Sequence, residues 1–173
     1  MGRLIASVLI MVWLDSSRSR HGIPQALETV MNAEETRAVA FRFYNEVVNS
    51  RNAAAAGELI ADDIEFTDPT APGGQLHGRA DVGQFIATLL NAFPDFHMTV
   101  EDGVIVEGDR AVARWVARGT HAGSFAGENP SGRTVTVQGV DVFIVSAGQI
   151  QKMWVYLDTA SLAQQLGLAP IPA

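Results

Sequence analysis

Two carboxylates carry the chemistry this sequence offers. Asp141 sits at the centre of Val137-Gln138-Gly139-Val140-Asp141-Val142-Phe143-Ile144-Val145, where nearly every other residue is apolar. Aspartate is a poor strand former, so something must offset its presence there. One offset is an ion pair with a strand arginine, Arg114 or Arg118. The other is a place at the wall of an apolar cavity, where desolvation raises the carboxyl pKa and lets it donate or accept a proton near neutral pH. The second carboxylate, Asp68, stands before Pro69 in Thr67-Asp68-Pro69-Thr70-Ala71-Pro72-Gly73-Gly74, and its simplest reading is turn chemistry. The four histidines, His21, His77, His97 and His121, show no ligand spacing, so no metal site is expected. The chain has no cysteine, which excludes thiol chemistry and disulfides.

The elements that position Asp141 are legible from residue type. Arg110 to His121, Arg133 to Val145 and Gln149 to Leu157 are rich in β-branched and aromatic residues and separated by turn residues, so they predict an antiparallel meander. Strand side chains alternate between faces. Val137, Gly139, Asp141, Phe143 and Val145 therefore share one face of the middle strand. In the third strand Met153, Val155 and Leu157 share a face without acid or base, and Trp154, Tyr156 and Asp158 share the other. Tyr44 and Trp115 read as core. His121, close to Gly123 at a strand end, reads as a surface or loop residue.

The earlier chain supplies helices. Glu34 to Ser50 predicts a helix, with acidic residues in its first turn and Val39, Ala40, Phe43, Tyr44, Val47 and Val48 on one face. Ala53 to Ile60 is a short second helix, Ile64 to Phe66 a brief strand, and Ala80 to Ala92 a third helix stopped by Pro94. Phe96 to Val106 is the strand before the meander, and Ser161 to Leu166 a last helix capped by Gly167. Helices gathered ahead of an antiparallel sheet indicate an α+β fold with helices on one face. Residues 1–30 combine Arg3 with an apolar run from Leu4 to Leu14, too short to span a bilayer and without a clean cleavage site. They are compatible with a signal peptide or with an upstream extension, the second being the simpler reading, ahead of a single domain over 31–173, and the protein reads as cytoplasmic. A net charge of -7 argues against binding nucleic acid or an anionic membrane.

Several segments together resemble the SnoaL-like polyketide cyclase family of the nuclear-transport-factor-two-like superfamily. They are Glu107 to Trp115, Arg118-Gly-Thr-His to Phe125, Pro130 to Val135, Gly139-Val-Asp-Val-Phe143 and Gln164-Gln-Leu-Gly167. The resemblance implies a cone-shaped α+β barrel, a curved sheet wrapped around a long N-terminal helix with a deep apolar pocket. It also implies a homodimer through the outer sheet face, and aldol cyclisation of a polyketide ester without metal or cofactor. In the family a last-strand carboxylate in a His-x-Asp-like segment moves the proton. Here that segment is Met153-Trp154-Val155, and valine cannot transfer a proton.

Asp141 and Asp68 both align with polar pocket positions of the family, which makes them the candidate acid/base pair. Two nearby carboxylates push their pKa values apart. Arg114 could balance their charge. Tyr44, Phe85, Trp115, Gly139, Phe143, Met153 and Val155 are the candidate substrate-binding residues, for a small apolar polyketide- or terpenoid-like ligand. Three functions compete on this reading: a cofactor-independent cyclase, isomerase or epoxide-opening enzyme; a binding module whose wall is inert at Met153 and Val155; or a scaffold whose cavity is filled by Phe43, Phe85, Trp115 and Phe143.

Overall fold

The computed structural model describes residues 25–168. Its first helix, α1, runs Gln25–Arg42 and passes directly into a π-helical segment, Phe43–Asn49. The helix thus starts well before the Glu34 read from sequence, and it runs through Met31. The wider turn at its end is closed by Ser50 N–H donating to Asn45 C=O at 3.0 Å. The expected apolar stripe is buried: Val39, Ala40, Phe43, Tyr44, Val47 and Val48.

Helix α2 (Ala53–Leu59) starts at Asn52, whose side-chain oxygen accepts from Ala54 N at 3.0 Å and Ala55 N at 3.3 Å. Ile60, expected to close that helix, instead opens β1 (Ile60–Thr67), a longer strand than the Ile64 to Phe66 stretch suggested. Its second half pairs with β2 (Gln75–His77), a three-residue strand too short to carry a period-two signal. Helix α3 (Arg79–Ala92) follows. Arg51, held at φ 54, caps its far end by donating to Leu90 O at 2.8 Å and Pro94 O at 2.6 Å.

The remaining strands are β3 (His97–Glu107), β4 (Arg110–Thr120), β5 (Thr134–Ser146) and β6 (Gln149–Leu157), ahead of helix α4 (Thr159–Leu166). The sheet order is β2-β1-β6-β5-β4-β3, antiparallel except where β1 lies parallel to β6. The β5–β6 hairpin turns on Ala147 and Gly148, both at positive φ as a two-residue hairpin demands. Register shifts between Glu101 and Val104, between Ile144 and Val145, and between Ile60 and Glu65 bend the sheet around the helices. Asn49 ties the edge strand β3 to the end of the π-helical segment, exchanging two hydrogen bonds with the Met98 backbone at 2.8 and 2.9 Å.

Alternation holds along the meander. Ala111, Ala113, Trp115 and Ala117 of β4, and Val135, Val137, Asp141, Phe143 and Val145 of β5, are buried on the inner face, which packs on α1 and its π-helical extension. The α+β class and the curved sheet around an N-terminal helix are as expected. Among the described residues, no helix is long and apolar enough to cross a membrane.

Candidate functional site

Asp141 is 1% exposed. It faces inward at mid-strand, with Ala113 of β4 opposite it on one side and Val155 of β6 on the other. Among the described residues no arginine pairs with it. Arg114 points to the outer face and pairs with Glu101 at 2.7 Å and with Asp102, so neither an ion pair nor charge balance from Arg114 accounts for Asp141. Period-two alternation is the reason: Ala113 and Trp115 point inward, and Arg114 between them cannot.

The partner is Tyr44. Its hydroxyl donates to Asp141 Oδ2 at 2.7 Å, from the π-helical segment across the barrel interior. Tyr44 is packed edge-on against Phe43 and Phe143, with ring centroids 5.7 and 5.9 Å away. Burial, and then the nearby Asp141 charge, push the Tyr44 pKa well above the ordinary tyrosine range, so it serves as a neutral hydrogen-bond donor. Among the described residues, Asp141 Oδ1 is buried without a hydrogen-bond partner, and so is Trp115 Nε1. The Trp115 indole N–H lies near enough to favour the charged carboxylate, though it completes no hydrogen bond of regular geometry.

The balance of these effects sets the protonation state. Loss of water raises the Asp141 pKa, the hydroxyl of Tyr44 and the indole of Trp115 oppose that, and the charge of Asp68 adds to it, with a result of about 7. A carboxyl placed so divides between acid and base at neutral pH, which is the condition for moving protons in either direction. With Tyr44 donating to Oδ2, Oδ1 is the oxygen left open to a proton.

Asp68 makes the turn and also lines the cavity. Its Oδ1 accepts from Thr70 N at 2.7 Å and Thr70 Oγ1 at 2.6 Å, the side-chain turn expected before Pro69. It is also only 7% exposed and lines the same cavity as Asp141. Burial raises its pKa against the two Thr70 hydrogen bonds.

That cavity measures about 100 Å³ and is walled almost wholly by apolar side chains. Phe85, Trp115, Met153 and Val155 line it as expected, together with α3 residues such as Leu89 and with Phe93, Phe125 and Leu162. Three candidates stand behind the wall. Tyr44 and Phe143 are packed under Asp141 in the aromatic cluster with Phe43. Gly139 is covered by Trp115, its cross-strand neighbour: a Cβ there would lie 2.2 Å from the indole Cζ2. Its missing side chain is the notch that seats the indole, and this is a packing role. The cavity is smaller than the roughly 300–1,000 Å³ of most ligand sites, so a ligand larger than one ring needs its rim to move.

His121 lies in the loop just after β4, as one half of the sequence reading has it, but it is not at the surface. It is 1% exposed and stacks on Phe93 with ring centroids 5.2 Å apart. Ser131 N donates to Nδ1 at 3.2 Å, which puts the proton of the neutral ring on Nε2. The signal was available: Ala113, Trp115, Ala117, Gly119 and His121 continue one inward-facing alternation past the strand end. Among the described residues no three histidine, aspartate or glutamate side chains gather in a way that could hold a metal ion.

Known proteins agree with this architecture. A candidate SnoaL-like polyketide cyclase from Jannaschia sp. CCS1 superposes with a TM-score of 0.71 at 22% identity, covering 90% of this chain and 99% of that one. IdmH of Streptomyces antibioticus, a candidate polyketide cyclase, gives 0.66 at 28% identity over 77% of this chain and 99% of its own. AclR of Streptomyces galilaeus, a candidate hydroxylase, gives 0.67 at 23% identity over 82% and 90%. No curated protein matches the chain. The SnoaL-like polyketide cyclase profile matches residues 38–166, from α1 to the end of α4, and the chain belongs to that family.

Proposed function

We propose that the protein is a cofactor-independent acid/base enzyme, a cyclase or isomerase, acting on a small apolar polyketide- or terpenoid-like substrate. One observation carries this reading: a fully buried carboxyl with one oxygen held by Tyr44 and the other free, at the wall of an apolar cavity. Asp141 is the proton-transfer group. It takes a proton beside a substrate carbonyl, or gives one to the developing oxyanion, through Oδ1. Asp68 lines the same cavity and is the partner carboxyl in this reading. The aldol or isomerisation step then needs no group beyond the two carboxyls and the substrate.

Asp141→Asn keeps the shape and the Tyr44 hydrogen bond but cannot cycle a proton. It should lower kcat on a polyketide ester substrate by at least ~10²–10³, since a positioned acid/base contributes about that much, with the fold intact by circular dichroism. Turnover at the wild-type rate would remove Asp141 from the reaction.

Met153 and Val155 favour a second reading. They make the last-strand wall, where the family's carboxylate stands, chemically inert. A non-catalytic carrier would co-purify with a ligand seen by native mass spectrometry and leave it unchanged on incubation.

A homodimer through the outer sheet face belongs to either reading. It is supported by Ile105 and Tyr156, which are 73% and 61% exposed, and by the cross-strand row Ile105, Val112, Val142 and Trp154 on that face. A monomer mass in sedimentation equilibrium would refute it.

A further inference from the structure

Among the described residues, two buried polar side-chain atoms without a regular hydrogen bond belong to residues that line the cavity: Asp141 Oδ1, an acceptor or, when protonated, a donor, and Trp115 Nε1, a donor only; His121 Nε2 is also unpartnered but lies away from the cavity. The Asp141 and Trp115 side chains line the same apolar cavity, on adjacent strands. Trp115 is there by construction, because Gly139 opposite it has no side chain to displace the indole. Buried polar groups are normally hydrogen-bonded, and those that are not call for a ligand or another explanation. An apolar ligand would leave the two atoms only their imperfect contact with each other, and an anionic one would meet the Asp141 and Asp68 carboxyls. A single neutral oxygen meets neither objection: it accepts from the indole N–H and accepts from or donates to the carboxyl.

We infer that Trp115 Nε1 and Asp141 Oδ1 form a polar subsite that takes one neutral oxygen, a ketone or hydroxyl, of an otherwise hydrocarbon ligand. This rests on the reading of the cavity as a ligand site and adds Trp115 as the residue that selects for the oxygen. It does not require that Asp141 turn the ligand over.

Cyclohexanone, cyclohexanol and cyclohexane are suitable one-ring probes for a cavity of about 100 Å³. Binding is titrated to the wild-type protein and to Trp115→Phe, following the ¹H–¹⁵N indole resonances, with Trp115 identified by removing Trp13 and Trp154 in turn. The ketone and the alcohol should shift the Trp115 indole N–H resonance downfield, and cyclohexane should not. Trp115→Phe should weaken the two oxygen-bearing probes by about tenfold, the effect of one hydrogen bond, and change cyclohexane by less than about twofold. An indole resonance unmoved by all three probes overturns the proposal, and in wild-type protein this decides the matter even if the variant folds poorly. Equal weakening of all three in the variant overturns it too, since Trp115 would then supply only apolar surface. Failure of every probe to bind also overturns it. The catalytic reading fails separately, by retained turnover in Asp141→Asn.

Discussion

Arg114 and Asp141 lie on neighbouring strands, one residue out of cross-strand register, and the protein holds their charges in opposite ways. Arg114 faces outward, is paired with Glu101 and Asp102, and keeps its charge in contact with water. Asp141 faces inward, has no cation, and has its charge held back by burial. The same contrast runs along the sheet: on the outer face Lys152 meets Glu65 at 2.8 Å, whereas the inner face offers Asp141 a neutral hydroxyl. Pairing fixes a charge and leaves it chemically idle. Burial without pairing leaves the proton count adjustable, which acid/base work requires.

The strongest way to sharpen this comparison is to measure stability against pH in wild type and Asp141→Asn. The folded-state pKa of Asp141 is about 7 against an ordinary 3.8, so the folded protein binds a proton that the unfolded chain has released. Wild-type stability should therefore fall as pH rises from about 4 to about 7, then level off. At 1.36 kcal/mol per unit the contribution of this group is on the order of 4 kcal/mol. Asp141→Asn removes that slope, and parallel pH profiles for the two proteins in chemical denaturation would show that the carboxyl is not desolvated. Tyr44→Phe should have a smaller effect, about 1–2 kcal/mol lost with one buried hydrogen bond. Because the Tyr44 hydroxyl lowers the Asp141 pKa, its removal should also move the ionisation seen in the pH–rate profile upward. An unmoved ionisation would separate Tyr44 from Asp141. The smallest effect belongs outside: Arg114→Met should leave turnover unchanged and shift Tm little, and only at low salt, because exposed ion pairs contribute little. A loss of activity there would break the division between the faces.

How much of this was legible depended on how local each feature is. The strands of the meander and the inward face of Asp141 follow from alternation within a dozen residues. The Val155 substitution follows from position in a family pattern. The Tyr44–Asp141 contact joins residues 97 positions apart, and no local pattern announces it. The π-helical segment leaves the three-and-four spacing of its apolar residues intact and is silent in composition. Strand β1 is longer than its apolar centre because its pairing with β6 and β2, and not its own residues, extends it. The burial of His121 was missed for a related reason: it sits in the loop after β4, and what covers it, Phe93 and Ser131, comes from other segments of the chain.

The notch at Gly139 ties two positions into one unit of volume. A relative that carries a bulkier residue at 139 has no room for an indole at 115, and one that loses the indole gains space for a side chain at 139. Pocket depth in such proteins is then set by a pair of residues that must be exchanged together, and a library that varies either one alone will sample mostly collapsed or gaping interiors.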